Sequence, residues 1–278
     1  MPKERFHIYL AERLVRECEF RPPISLDRAA FFLGAVSPDI FYYDLPLFSL
    51  SPLGDWIHCL LDRCGIGIIF DWIAKRPIDA ANGPAISWGL GLACHFLVDA
   101  LWHPLIEELS AAGLGEVYRG AERLSLIERH RLIESEIEAF WLPKTSGDRL
   151  SDSVSLDFGG KWDRLLATAS HYRSFLEFAG FAGQGGFSSA PVPGAGLSRG
   201  RIAWCLLCQN FFLKLFANRT LGGKRDQLLS FGPTRFLGAL LAPAHPMLPV
   251  LFARSMAENR NPFSDAFMQR AVGCLKAD

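Results

Sequence analysis

Three residues in one apolar stretch, His95, Asp99 and His103, have the types and the spacing of metal ligands. Residues four apart on an α-helix are separated by about 6 Å along the axis and lie nearly on one face. His95 and Asp99 can therefore share one metal ion, and the second carboxylate oxygen of Asp99 could bridge to another. His103 lies about 12 Å along the axis from His95, too far to share an ion with it at ligand distances near 2 Å. If all three residues bind metal, this helix serves more than one ion.

A second pair with the same spacing is His130 and Glu134, in the segment ERHRLIESEIEAF. Here too an imidazole and a carboxylate share one helical face. Glu136 and Glu138 are alternative acidic residues, but the helical period directs them away from His130. A single pair of this kind is common on solvated helix faces, so by itself it also fits an ordinary charged surface.

His7, His58 and Asp39 carry less information when they are taken one at a time. A lone histidine is more often a structural residue than a ligand, and an aspartate after a proline, as in SPDIFYY, is ordinary turn chemistry. Their weight comes from the order in which all these residues follow one another along the chain.

The elements that must position these side chains are helices. Apolar residues recur with the helical period, and no run of alternating residues predicts a strand. We expect an all-α, multi-helix bundle with the metal site between helices, and Ser25 as the N-cap of the second helix. The predicted helices cover residues 6–17, 25–35, 54–75 with a break near Gly65, 84–106, 122–141, 160–180 and 199–219, followed by short pieces to 276.

Composition predicts the domain organisation and excludes some classes of function. Residues 1–180 should form a helical domain, 181–200 a Gly/Ser/Pro-rich loop, and 201–278 a C-terminal helical extension packed on the first part. Lys and Arg number 29, as do Asp and Glu, so the formal net charge is zero. The chain therefore has no overall positive field to attract nucleic acid, and half of its residues are hydrophobic, which excludes a disordered chain.

Two further patterns bear on location and on the cysteines. The N-terminus has no apolar core of signal-peptide length, and the apolar window 85–106 contains Asp99, which is costly at a bilayer centre. We therefore expect a cytoplasmic protein without a transmembrane segment. Cys205 and Cys208 form a lone CxxC, which we interpret as two thiols in a helix core because zinc sites usually need a second pair.

The order of these motifs resembles the zinc-dependent phospholipase C family, and especially its phospholipase C/D-domain branch, whose fold is related to that of S1/P1-type nucleases. The resemblance covers roughly residues 5–140. It rests on an N-terminal His7, Asp39 before Tyr42 and Tyr43, a lone His58, the apolar helix with His95, Asp99, His103 and Pro104, and the helix with His130 and Glu134.

The resemblance implies a set of ligands. By analogy with the family, His58, His95 and Asp99 would hold one zinc ion, and His103, His130 and Glu134 a second. His7 and the bridging Asp99 would help with a third. Asp39 would act as the base, or would orient the attacking water. Two departures, at the N-terminus and in the spacing of His103 to Asp99, leave the number at two or three ions; manganese would suit the same ligands.

The function that follows is metal-dependent hydrolysis of a phosphodiester, most simply of a phospholipid. Metal-activated water would attack phosphorus, and Tyr42 and Tyr43 could line a lipid-binding cleft or belong to the core. Two alternatives stay open. One is a nuclease, which the neutral charge disfavours, and the other is a non-catalytic helical scaffold or binding protein in which the metal stabilises the fold. The oligomeric state does not follow from the sequence.

Overall fold

Twelve α-helices make up most of the computed structural model, which describes residues 4–17, 25–45, 49–112, 114, 121–141, 162–184, 197–216, 224–231, 235–241, 243 and 245–277. The predicted all-α class is confirmed, because the described part of the chain contains helices and no strand. The helices are α1 (Glu4–Glu17), α2 (Arg28–Val36), α3 (Ser51–Cys64), α4 (Gly67–Ala74), α5 (Gly83–Ala111), α6 (Leu126–Trp141), α7 (Trp162–Gln184), α8 (Arg199–Phe216), α9 (Arg225–Ser230), α10 (Arg235–Leu240), α11 (Leu248–Ser255) and α12 (Asp265–Ala277), with 3₁₀ helices at Ser37–Tyr43 and Ala121–Arg123.

Local side-chain chemistry sets where several helices begin and end. The N-cap of α2 is Asp27 and not Ser25, because Asp27 Oδ1 accepts a hydrogen bond of 3.0 Å from the amide of Ala30. At the start of α6, the Ser125 amide donates to the Glu128 carboxylate and the Glu128 amide to the Ser125 hydroxyl, a reciprocal capping box. This box starts α6 at Leu126, four residues later than predicted. Gly65, with φ of 65°, supplies the left-handed break after α3.

The described helices belong to two compact units, and each is interrupted in sequence. The first unit comprises Met1–Cys18, Val98–Ser155 and Phe212–Asp278, and the second comprises Glu19–Leu97 and Leu156–Phe211. Helix α5 contributes residues to both. Most of the predicted 181–200 loop, residues 185–196, lies outside the described residues. The predicted domain boundaries therefore stay a prediction.

Aromatic rings form the centre of the second unit. Trp88 contacts Trp72, Tyr172 and Phe175 edge to face, with ring centroids 5.2 to 6.1 Å apart. Helices α2 and α5 approach so closely that a Cβ added at Gly34 would lie 2.0 Å from the carbonyl oxygen of Trp88. The same addition at Gly91 would lie 1.9 Å from that of Phe31. Glycine at both positions is thus a condition for this packing.

The first unit has its own core. Trp102 of α5 packs edge to face against Phe6 of α1 and Phe267 of α12, at centroid distances of 4.9 and 5.0 Å. Helix α6 carries a buried ion pair in which Arg225 Nη1 donates to Glu136 Oε1 at 2.8 Å. The other oxygen of Glu136 accepts from the amide of Met247, immediately before α11. Glu136 therefore has a structural task in this unit.

Helix α5 is the longest element, and it continues through Pro104 to Ala111, beyond the predicted end at 106. Among the described residues it is the one helix that is long and apolar enough to cross a membrane. Within the protein, 78% of its most apolar 18-residue window is buried, as expected for a core helix.

Candidate metal centres

The second unit brings together Asp39, His58 and His95 from three elements. Asp39 lies on the 3₁₀ helix that directly follows α2, His58 on α3 and His95 on α5. One potential ligand atom from each lies within 4.8 Å of the other two. Asp39 and His95 are fully buried, whereas His58 is partly exposed. We call these three residues the second-unit donor set.

Backbone carbonyls fix the orientation of both imidazoles in this set. His58 Nδ1 donates to the carbonyl of Gly54 and His95 Nδ1 to that of Ala35, each at 2.8 Å. A carbonyl can only accept, so each ring carries its proton on Nδ1 and, when neutral, presents a lone pair on Nε2. A histidine that ligates a metal typically makes the same hydrogen bond with its other nitrogen.

The distances to Asp39 fit shared ligands better than direct hydrogen bonds. His58 Nε2 lies 3.6 Å from Asp39 Oδ1, and His95 Nε2 lies 3.9 Å from Asp39 Oδ2. An imidazolium bound directly to a carboxylate would lie at about 2.7–2.9 Å. Two ligands of one tetrahedral zinc ion, each about 2.0–2.1 Å from the metal, lie about 3.4 Å apart. The donor set therefore has room for a small cation.

Packing around the 3₁₀ helix places Asp39. The hydroxyl of Ser37 donates to the Leu33 carbonyl and accepts a 2.9 Å hydrogen bond from the Trp88 indole. This contact joins the start of the 3₁₀ helix to α5, nearly two turns before His95. The close approach of α2 and α5 in turn brings the Ala35 carbonyl within reach of His95.

The first unit holds the other predicted ligands. His7 of α1 is fully buried, and its Nε2 lies 3.3 Å from Asp99 Oδ1. His103 Nε2 lies 3.3 Å from the same oxygen. His7 reaches this position because its neighbour Phe6 packs on Trp102, in the turn of α5 that also contains Asp99 and His103. Asp99 is thus the point at which α1 and α5 bring their imidazoles to one carboxylate.

His103, His130 and Glu134 form a second group of three, with one potential ligand atom from each within 4.8 Å of the others. We call these residues the first-unit donor set. His130 Nε2 lies 2.8 Å from Glu134 Oε1, and Arg131 Nη1 lies 3.7 Å from the other oxygen. The rings of His103 and His130 are edge to face, with centroids 5.4 Å apart.

The charge states in this set suit a cation. Burial raises the pKa of the Glu134 carboxyl, but positive neighbours that include His130 and Arg131 more than offset it, so its pKa lies well below the ordinary value. Burial lowers the pKa of His103, an effect that the carboxylate of Asp99 only partly offsets. At neutral pH Glu134 is therefore an anion and His103 a neutral imidazole, the forms that ligate metal.

The structure also shows the surroundings of the other residues that the sequence analysis singled out. Glu136 is held by Arg225, and the thiols of Cys205 and Cys208 are buried, with the pKa of Cys205 raised to about 12 by burial and by Asp44. Tyr42 is half-buried, donates to Asp55 at 2.7 Å, and has its ring 6.2 Å from that of His58. Tyr43 is also half-buried, so a role for either tyrosine in substrate binding stays a prediction.

The structure adds one potential ligand to the expected set. The sequence predicted Asp39 as a base and Asp99 as a ligand beside His58 and His95, and both roles stay predictions. The geometry of the second unit places Asp39 between the two histidines, where it could also bind the metal. Nothing in SPDIFYY marks Asp39 as a donor, because the signal lies in contacts with residues far along the chain. The Ala35 carbonyl was missed for the same reason, since it lies 60 positions from His95. The Gly54 carbonyl is only four residues from His58, but the side-chain orientation that makes this hydrogen bond is not visible in the sequence.

The zinc-dependent phospholipase C family model matches residues 6–178, and so includes every donor described above. The chain belongs to the zinc-dependent phospholipase C family. No curated protein and no solved structure matches the chain.

The residues of this zinc-dependent phospholipase C family member fit the metal in the family's description. Both donor sets combine imidazole nitrogen with carboxylate oxygen, and zinc accepts both kinds of ligand. In the second-unit set, the fixed Nδ1 protons direct Nε2 of His58 and His95 towards one carboxylate. Three protein ligands also leave a fourth position for water or substrate, as in catalytic zinc sites.

Proposed function

We propose that the chain is a metal-dependent phosphoester hydrolase that cleaves the glycerol–phosphate bond of a phospholipid with water. The observation that carries the proposal is the second-unit donor set, in which two backbone carbonyls aim two imidazoles at the Asp39 carboxylate. The family supplies the substrate class.

The residues of this chain would have the following roles. Asp39, His58 and His95 would hold one zinc ion, and His103, His130 and Glu134 another, with His7 and Asp99 as further ligands. Bound zinc supplies a Lewis acid that stabilises charge on the phosphate and lowers the pKa of water from 15.7 to about 7. The carboxylates of Asp39 and Asp99 would balance part of the charge of bound zinc, and their oxygens could accept a proton from water.

Metal content, measured by mass spectrometry on untagged full-length protein, is the first test. We expect at least two zinc ions per chain in the wild type and fewer in Asp99→Asn. Glu108→Gln is the matched control, because Glu108 lies on the same helix, is exposed and pairs with Arg260. Its metal content should equal that of the wild type. A wild type that takes up no zinc would overturn the proposal.

Substrate assays then distinguish a phospholipase from a nuclease and from a non-catalytic scaffold. The zinc-loaded protein should release phosphocholine and diacylglycerol from phosphatidylcholine in mixed micelles, and Asp99→Asn should not. Cleavage of single-stranded DNA alone would replace the phospholipase proposal with a nuclease. Bound zinc, a large stabilisation by zinc and no cleavage of either substrate would identify a metal-stabilised scaffold instead.

A further inference from the structure

Helix α8 lies outside the segment 6–178 that the family model matches, yet it contacts both ends of the 3₁₀ helix that carries Asp39. At the N-terminal end, Gln209 Nε2 donates to the Val36 carbonyl at 3.0 Å. At the C-terminal end, the Trp204 indole donates to the Leu45 carbonyl at 2.8 Å. Arg201 adds two hydrogen bonds to Asp44, of 3.2 and 2.7 Å.

The contact residues of α8 form one stripe. Arg201, Cys205 and Gln209 follow one another at intervals of four residues, so they lie on the same side of the helix, and Trp204 borders them. Cys205 and Gln209 are buried, and so is Asp44 opposite them. A single rigid element thus spans the 3₁₀ helix from residue 36 to residue 45.

The hydrogen bond from Gln209 affects two members of the donor set. Val36 is the residue after Ala35, whose carbonyl accepts the proton of His95 Nδ1. It is also the N-cap of the 3₁₀ helix, three residues before Asp39. A buried amide that fixes the Val36 carbonyl therefore restrains the backbone that orients His95 together with the backbone that carries Asp39.

We infer that α8 is a positioning element for the second-unit donor set, with Gln209 as its central positioning residue and Arg201 and Trp204 as the anchor at the other end. The inference rests on the proposed metal site. It adds that residues beyond the family segment set the affinity of that site, by acting on the ligands without touching the ion.

The test compares Gln209→Met, which keeps the volume but removes the donor, with Thr168→Val. Thr168 is buried in the same unit, and its hydroxyl donates to the Arg164 carbonyl within its own helix, so it is a matched control for the loss of a side-chain hydrogen bond to a carbonyl at a buried residue. Zinc affinity is measured by competition with a chelator, and folding by thermal unfolding. We expect both variants to unfold at a lower temperature, and only Gln209→Met to release one ion at about tenfold weaker affinity.

A second variant guards against a failure of Gln209→Met to fold. Trp204→Phe removes the indole donor at a side chain that is 44% exposed, and it should weaken the binding of one ion without lowering the yield of folded protein. Affinities equal to those of Thr168→Val in both α8 variants would overturn the inference. A wild type that binds no zinc would instead overturn the proposed function, so the two failures are distinguishable.

Discussion

The carboxylate of Asp39 faces two imidazoles, each of which has its remaining ring proton committed to a backbone carbonyl. This arrangement leaves the histidines little rotational freedom, because a rotated ring would lose its hydrogen bond to Gly54 or Ala35. The two Nε2 atoms are thus held in place by hydrogen bonds on the opposite side of each ring, so binding of an ion between them would cost little side-chain entropy.

Replacing Asp39 tests whether it binds metal or moves a proton. Asp39→Asn keeps the size of the side chain but removes its negative charge, so we expect zinc affinity at this set to fall by at least about tenfold. Chelator competition measures the affinity, and Asp71→Asn, an exposed change on α4, should leave it unchanged. Full metal content combined with a lost hydrolysis rate would instead identify Asp39 as the proton acceptor.

At the scale of elements, the crossing of α2 and α5 decides whether His95 can reach its carbonyl. Two glycines permit it, Gly34 on α2 and Gly91 on α5. Since a Cβ added at either position would lie 1.9 to 2.0 Å from a backbone oxygen of the partner helix, even alanine forces the helices apart.

Gly91→Ala should therefore lower the free energy of unfolding by about 3 kcal/mol or more and weaken zinc binding through the lost contact of His95 with Ala35. Urea unfolding and zinc titration measure the two effects. Gly273→Ala is the matched control, because Gly273 lies within α12 and a Cβ there meets nothing within 4 Å. That change should stabilise by about 0.5–1 kcal/mol. Equal free energies of unfolding for the two variants would contradict the close crossing of α2 and α5.

The ion pair between Asp44 and Arg201 gives the anchoring of α8 a pH dependence. Burial raises the pKa of Asp44, but hydrogen bonds from Arg201 and Ser49 outweigh it, and the net pKa is lower than in an exposed carboxyl. The stabilisation is therefore complete above the ordinary aspartate pKa of about 3.9 and is lost as the pH falls through the lowered folded value.

Asp44→Asn should accordingly cost about 2 kcal/mol at pH 7, and this cost should shrink as the pH falls below about 3.9 towards the lowered folded pKa. Thermal unfolding of both proteins between pH 3 and 7 measures the decrease. Asp163→Asn, an exposed change at the start of α7, provides the reference curve. A difference that stays constant across this range would show that the ion pair does not stabilise the fold.

The sequence was sufficient to predict the all-α fold and those pairs of potential ligands that lie on one helix. The spacing of His95, Asp99 and His103 is a local property, and so is that of His130 and Glu134. The partner of Asp39 and the role of Gln209 depend on contacts between residues as many as 173 positions apart, which no local pattern records. The start of α6 was placed too early because the capping box at Ser125 was not recognised.

At the scale of the whole molecule, zinc bound at the proposed donor sets would stabilise the fold. A ligand that binds only the native state at one hundred times its Kd adds about 2.7 kcal/mol to the free energy of unfolding. Removal of zinc with a chelator should therefore lower the unfolding temperature by several degrees, and added zinc should restore it, whereas magnesium should not. Differential scanning calorimetry measures the shift. An unfolding temperature that changes neither with chelator nor with added zinc would contradict metal binding to the native state.

The interleaving of the two units has a consequence for biosynthesis. The second unit is complete once Phe211 has left the ribosome, but the first unit still lacks Phe212–Asp278, which includes the helix whose Phe267 packs on Trp102. Asp39, His58 and His95 can thus be enclosed by their own core while His103, His130 and Glu134 still wait for theirs. A nascent chain stalled when Phe211 has just left the exit tunnel should hold its second-unit residues in a protease-resistant form. The segment around Trp102 in the same chain should still be cleaved.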